Sequence, residues 1–211
     1  KNLLSEQNNG LSDDVREKLK RWLELSQSPH FGDTPTDYYA LTGRGLFEAR
    51  EFEEALSTLN NGLHYAESPE QMEQLYQDLG TVYYFKGYKL QPNGLARYDL
   101  NDVRNSVKSY EMALSFGEDP YLYGNLGWGY YLLGDYSSSI ESSLHALALK
   151  PELNYVRMNL GIAYLIKGDY ELAFSSYASL QQHSPELDEY EGGIRDLLEL
   201  QQEFPGLYPF I

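Results

Sequence analysis

The residues able to do chemistry in this chain of 211 are few and scattered. Its histidines, His30, His64, His145 and His183, stand far apart. None has a second histidine at the i+3 or i+4 spacing that puts two ligands on one helix face. His64, His145 and His183 fall near the ends of expected helices, where an imidazolium meets the negative end of the dipole. Cysteine is absent, which removes disulfides, thiolate metal sites and a cysteine nucleophile together. Adjacent carboxylates such as Asp13-Asp14 and Glu53-Glu54 read as solvated faces or dipole partners rather than acid–base pairs. No serine has the strand–turn–helix context of a nucleophile, and Gly124-Asn125-Leu126-Gly127 lies inside a helix rather than in a phosphate loop. The expectation is a non-catalytic protein with no metal site and no cofactor.

Composition narrows the partners. The formal net charge is −16, from 16 basic and 32 acidic residues. An acidic surface repels phosphate backbones and anionic lipid heads, so nucleic acid and membrane-surface binding are disfavoured; a protein or peptide partner is expected, with no direct membrane insertion of this segment. No apolar run approaches the roughly 18 residues of a membrane span. The compartment is not encoded: cytoplasmic is the default, with the bacterial periplasm or cell envelope open.

The chain is organised around residues 120–185, where the sequence nearly copies itself. Leu126-Gly127 recurs as Leu160-Gly161, Tyr130 as Tyr164, Gly134-Asp135-Tyr136 as Gly168-Asp169-Tyr170 and Pro151 as Pro185, each at an offset of 34 residues. Looser copies lie upstream. Tyr39, Gly43 and Leu46 share one helix, and Phe52, Ala55 and Leu59 the next, with Gly43 and Ala55 marking the close approach. Another helix starts at Ser68-Pro69 and carries Tyr76, Leu79, Gly80 and Tyr83. Its expected partner reappears only at about Asp102, leaving about 14 extra residues over 88–101 as a long loop with a turn at Pro92-Asn93-Gly94. This insertion is locally basic: Lys86, Lys89 and Arg97 lie near it and Arg104 just beyond.

A helix led by Ser12 and carrying Val15, Leu19, Trp22 and Leu23 precedes the repeats. Another, with Leu187, Tyr190, Ile194, Leu197 and Leu198, follows them and suits a solenoid cap.

A period of 34 with Leu-Gly, Tyr, Gly-Asp-Tyr and Pro in this order resembles the tetratricopeptide repeat (TPR), a helix–turn–helix that must stack on its neighbours. The resemblance implies an all-α, right-handed superhelical solenoid of about four repeats. They span about 36–69, 73–119 with the insertion 88–101, 120–153 and 154–187. An N-terminal polar segment and helix (1–34) and a C-terminal capping helix and tail (188–211) flank the 35–187 solenoid. Ser139, Ser143 and Arg157 depart from the family pattern and are expected to loosen packing locally.

The family binds partner segments on a concave face built from first helices. Carried onto this sequence, that face offers Arg44, Phe47, Gln77 and Tyr84 from the first two repeats. Tyr121, Trp128, Tyr131, Tyr155, Met158 and Ile162 follow from the last two. The carboxylate-gripping pattern of chaperone-tail-binding members is missing, because Arg44, Thr81, Trp128 and Ile162 occupy the relevant positions. What remains is an aromatic groove suited to an apolar or amphipathic helix or extended peptide, with Lys86, Lys89, Arg97 and Arg104 as a secondary basic contact. The expected function is a protein–protein interaction scaffold or adaptor. A regulatory or tethering domain of a larger, membrane-anchored or enzymatic protein is the alternative, as is a peptide or small-ligand sensor. The C-terminal helix filling the groove, and homo-oligomers through a terminal helix, stay open.

Overall fold

Three helix starts are written in this chain as a proline placed directly after a side chain that accepts backbone hydrogen bonds. Thr34, Ser68 and Asp119 precede Pro35, Pro69 and Pro120, and each is an N-cap in the computed structural model, which describes residues 34–183. Thr34 with Asp37, and Ser68 with Gln71, close reciprocal capping boxes. The helices are α1 (Pro35–Glu48), α2 (Phe52–Leu63), α3 (Pro69–Gly87), α4 (Leu100–Leu114), α5 (Pro120–Leu132), α6 (Tyr136–Leu149), α7 (Asn154–Lys167) and α8 (Tyr170–His183). They pair in order as α1/α2, α3/α4, α5/α6 and α7/α8, and each pair stacks on the next to give an all-α solenoid. The helices expected before and after the repeats lie outside the described residues.

A stacked array has a row of cores rather than one. Leu46, Leu59, Leu75 and Val82 close the first junction, and Val107, Tyr110, Leu122 and Leu126 the second. Ala146, Leu153 and Val156 join α6 to α7, while Ile162, Leu165 and Ala173 lie within the last pair. Each buried Leu, Ile or Val side chain contributes about 1.5–3 kcal/mol. Within every pair the frame glycine touches a side chain of the second helix. A Cβ on Gly43 would sit 2.5 Å from Leu59, on Gly80 2.5 Å from Tyr110, on Gly127 2.5 Å from Ser143 and on Gly161 2.7 Å from Tyr177. Gly43 therefore meets Leu59, whereas the expected small partner Ala55 is buried elsewhere in the same core.

The turn within a pair needs a left-handed residue seven positions after that glycine. Gly134 and Gly168 supply it at φ +80° and +82°, but the first pair uses Arg50 at φ +62°. Its guanidinium lies 5.7 Å from the Phe52 ring centroid, a partial compensation.

The second turn departs from the rule, and the insertion is not the long loop expected. After Gly87 the chain enters β1 (Tyr88–Leu90), turns, and returns as β2 (Ala96–Tyr98), an antiparallel hairpin with Tyr88 opposite Tyr98 and Lys89 opposite Arg97. The turn expected at Pro92-Asn93-Gly94 is its tip. Gly94 N donates to Gln91 O at 2.9 Å, Leu95 N donates to the Asn93 side chain at 3.1 Å, and Gly94 holds φ +83°. Asp99 N then donates to Gly87 O at 2.9 Å, and the Asp99 carboxylate caps α4, so the second helix starts at Leu100, slightly earlier than expected. The sequence carries no alternating apolar run here because the hairpin only half-buries one face, at Tyr88, Ala96 and Tyr98.

Ser139 and Ser143 are fully buried between α5 and α6, and neither hydroxyl has a hydrogen-bond partner. They do not loosen the pair, since Ser143 lies directly against Gly127. Arg157 is buried too, and its guanidinium donates to Asn154 Oδ1 at 3.4 Å. Loss of water lowers its pKa from the ordinary arginine value.

Two stability changes are expected. Arg50→Gly relieves the left-handed strain and raises stability by about 1 kcal/mol. Ser143→Ala removes an unsatisfied buried hydroxyl and raises stability by about 1 kcal/mol. Urea midpoints of the two variants against the parent check both.

Candidate binding groove

The insertion decides where the cavity lies. α1 packs on α3 and α5 packs on α7, but α3 and α5 hardly touch, and the hairpin rises beside the opening between them. The result is a cavity of about 540 Å³. α3 contributes Thr81, Tyr84 and Phe85, and the hairpin contributes Tyr88 and Tyr98. α5 adds Asn125 and Trp128, α7 adds Tyr155 and Asn159, and Tyr110 comes from α4.

Hydrogen bonds and ring contacts hold these walls together. Trp128 Nε1 donates to the Tyr84 hydroxyl at 3.2 Å, crossing the gap between α5 and α3. The Tyr84 and Tyr98 hydroxyls lie 3.3 Å apart, which ties the hairpin to the same point. Tyr98 meets Trp128 edge-on (6.4 Å, 75°) and Tyr88 likewise (5.5 Å, 61°). Tyr131 stacks on Trp128 at 4.9 Å and 12°. Burial pushes the Tyr155 hydroxyl up to about 12 and raises Tyr110 as well, because loss of water penalises the charged phenolate.

No family profile matches the chain, and no curated protein is detectably similar to it in sequence. Solved structures do match. A crystal structure of MamA superposes with a TM-score of 0.60 at 14% identity, covering 82% of this chain and 95% of that one. YrrB, described as a TPR protein with an unusual peptide-binding site, superposes at 0.57 and 20% identity, covering 78% of each chain. The chain has the tetratricopeptide fold. At these identities the likeness concerns architecture, and the contents of the groove are read from this chain's own residues.

Of the groove residues expected from sequence, the TPR stack brings Tyr84, Trp128 and Tyr155 together around the cavity, with Tyr131 behind Trp128. Phe47 lies next to this group, 5.3 Å from Phe85. Gln77 is half-buried one turn before Thr81, whose hydroxyl donates to its carbonyl at 3.0 Å. Tyr121 is 46% exposed at the start of α5, where its hydroxyl accepts from Lys150 and its ring lies 4.5 Å from that ammonium. Two expected residues are buried and do not line this cavity. Met158 is 7% exposed and Ile162 is 0%, because Ile162 belongs to the core with Leu165 and Ala173.

The secondary basic contact also breaks apart. Lys86 Nζ lies 2.7 Å from Asp102 and 3.6 Å from Glu53, and Arg104 donates to Asn101 at 2.9 Å on its own helix. Lys89 and Arg97 face each other across the hairpin, and strand alternation turns them away from the cavity that Tyr88 and Tyr98 line. Sequence reasoning missed Phe85, Tyr88, Tyr98, Tyr110, Asn125 and Asn159. A signal for the asparagines existed, since both stand two residues before a frame glycine.

In the second repeat that same position is Asp78, and Arg44, isolated in the sequence, is its partner: Nε to Oδ2 is 2.8 Å. Burial nevertheless pushes the Asp78 carboxyl up to about 6, against the pull of Arg44 and Gln74. A folded-state pKa above the unfolded one means that the native state holds this proton more tightly. The group's contribution is present at low pH, falls as pH rises from about 4 through 6, and stays lost above that. Asp78→Asn is expected to gain on the order of 2 kcal/mol over the parent at pH 7 and almost nothing at pH 4, read from urea midpoints at the two pH values.

Proposed function

We propose that this chain is a non-catalytic protein-interaction scaffold that holds a peptide or helical segment of a partner against the aromatic wall of its TPR groove. The observation that carries the reading is the cavity of about 540 Å³ between α3 and α5, walled by the hairpin and lined by seven aromatic rings among the described residues. Aromatic side chains offer large contact area at small entropic cost, and clusters of Trp and Tyr dominate binding energies at interfaces. Half-exposed rings around a concavity serve recognition rather than packing, because packing alone would close the gap.

Two further facts agree. The architecture is shared with YrrB, for which a peptide-binding site is described. The net charge of −16 favours a basic or neutral protein segment over nucleic acid.

Trp128→Ala combined with Tyr131→Ala is expected to abolish partner capture from native lysate while the helical circular dichroism stays at the parental level. Tyr98→Ala, placed on the hairpin outside the helical cores, is expected to weaken the same capture at least tenfold, as loss of one aromatic anchor does. Capture of the same proteins by all variants alike would refute the reading.

A further inference from the structure

The groove holds aromatic rings, but the chemistry of the cavity is more specific than apolar contact. Its rings are inclined to one another: Tyr84 to Tyr98 at 38°, Tyr88 to Tyr98 at 61°, and Tyr98 to Trp128 at 75°. Seven aromatic rings line the cavity, and the face of such a ring carries partial negative charge. No charged side chain lines the cavity among the described residues.

The cations nearby are all committed elsewhere. Arg44 is bonded to Asp78, Lys86 to Asp102 and Glu53, and Lys89 and Arg97 occupy the opposite face of the hairpin. An anion entering the cavity would find no cation to pair with. A cation would find aromatic rings, hydroxyls and two side-chain amides. The two amides belong to Asn125 and Asn159, which the repeat places at equivalent positions of α5 and α7. Their carbonyl oxygens can accept N–H groups from a guanidinium or ammonium. The protein as a whole carries a net charge of −16, which concentrates cations at its surface.

We infer that this cavity is an aromatic cage for a cationic side chain, an arginine guanidinium or a lysine-type alkylammonium, presented by a basic segment of the bound partner. The inference rests on the reading of the groove as a peptide-binding surface and adds the charge of the occupant. An aliphatic stem lies along Tyr84 and Trp128, and the charged head sits among Tyr98, Asn125 and Asn159.

The probes are capped pentapeptides Gly-Gly-X-Gly-Gly with arginine, trimethyllysine, norleucine or glutamate as X, titrated into the full chain labelled with ¹⁵N. The readout is the indole N–H resonance of Trp128, distinguished from that of Trp22 by its loss in Trp128→Phe. The arginine and trimethyllysine peptides are expected to move this resonance with a Kd about tenfold below that of the norleucine peptide, and the glutamate peptide not to move it. Tyr98→Leu keeps apolar bulk but removes a π-face. It is expected to weaken the cationic peptides about tenfold and leave norleucine unchanged, with circular dichroism confirming the fold.

Norleucine binding as tightly as arginine, no shift with any peptide, or an arginine affinity untouched by Tyr98→Leu would each overturn the cage. The broader groove reading fails separately, if partner capture survives Trp128→Ala with Tyr131→Ala. Loss of capture in that double variant alongside equal norleucine and arginine affinities means an apolar groove without a cage.

Discussion

The structure depends on one close approach repeated four times. In each helix pair a glycine of the first helix lies against a side chain of the second: Gly43 on Leu59, Gly80 on Tyr110, Gly127 on Ser143 and Gly161 on Tyr177. A methyl group at any of these places would overlap its neighbour, so the glycine sets how near the two axes come. The identity of the facing residue is free to vary between leucine, tyrosine and serine while the approach itself is kept. Turns, caps and the row of small cores then follow from stacking four such pairs.

The second pair uses this freedom for another purpose. Tyr110 reaches across Gly80 and brings its hydroxyl within 3.3 Å of Thr81, at the edge of the cavity. The same pair carries the hairpin, which inserts after Gly87 at the position where the other pairs make a left-handed turn. Extending α3 to 19 residues and adding two three-residue strands moves Tyr88 and Tyr98 to the mouth of the gap between α3 and α5. Core packing and recognition surface are thus joined through one helix pair. The Trp128–Tyr84–Tyr98 hydrogen bonds close the arrangement, by linking the third pair, the second pair and the hairpin at a single point.

Charge is managed with the same economy. In an acidic chain, the cations nearest the groove are neutralised by Asp78 and Asp102 or turned to the far side of the hairpin. What faces the cavity is uncharged and rich in π-density. Asp78 is the exception at its margin, a carboxyl whose ionisation is resisted by burial even though a guanidinium lies 2.8 Å away. The equivalent positions in the third and fourth repeats, Asn125 and Asn159, keep a polar side chain without that electrostatic cost.

The architecture was legible in the sequence because it rests on local and periodic signals. Thr34, Ser68 and Asp119 before prolines mark helix starts, Gly134 and Gly168 mark turns, and the offset of 34 residues marks the repeat. Part of the groove was legible for the same reason, since Tyr84, Trp128 and Tyr155 follow from a frame counted along first helices. Tertiary structure decided everything that depends on contact between distant residues. It withdrew Met158 and Ile162 into buried positions, paired Arg44 with Asp78, and separated Lys86 from Lys89 and Arg97. It also folded the insertion into a hairpin and so supplied Tyr88 and Tyr98. Side-chain periodicity states which way a residue points from its own helix, but not what another segment has placed there.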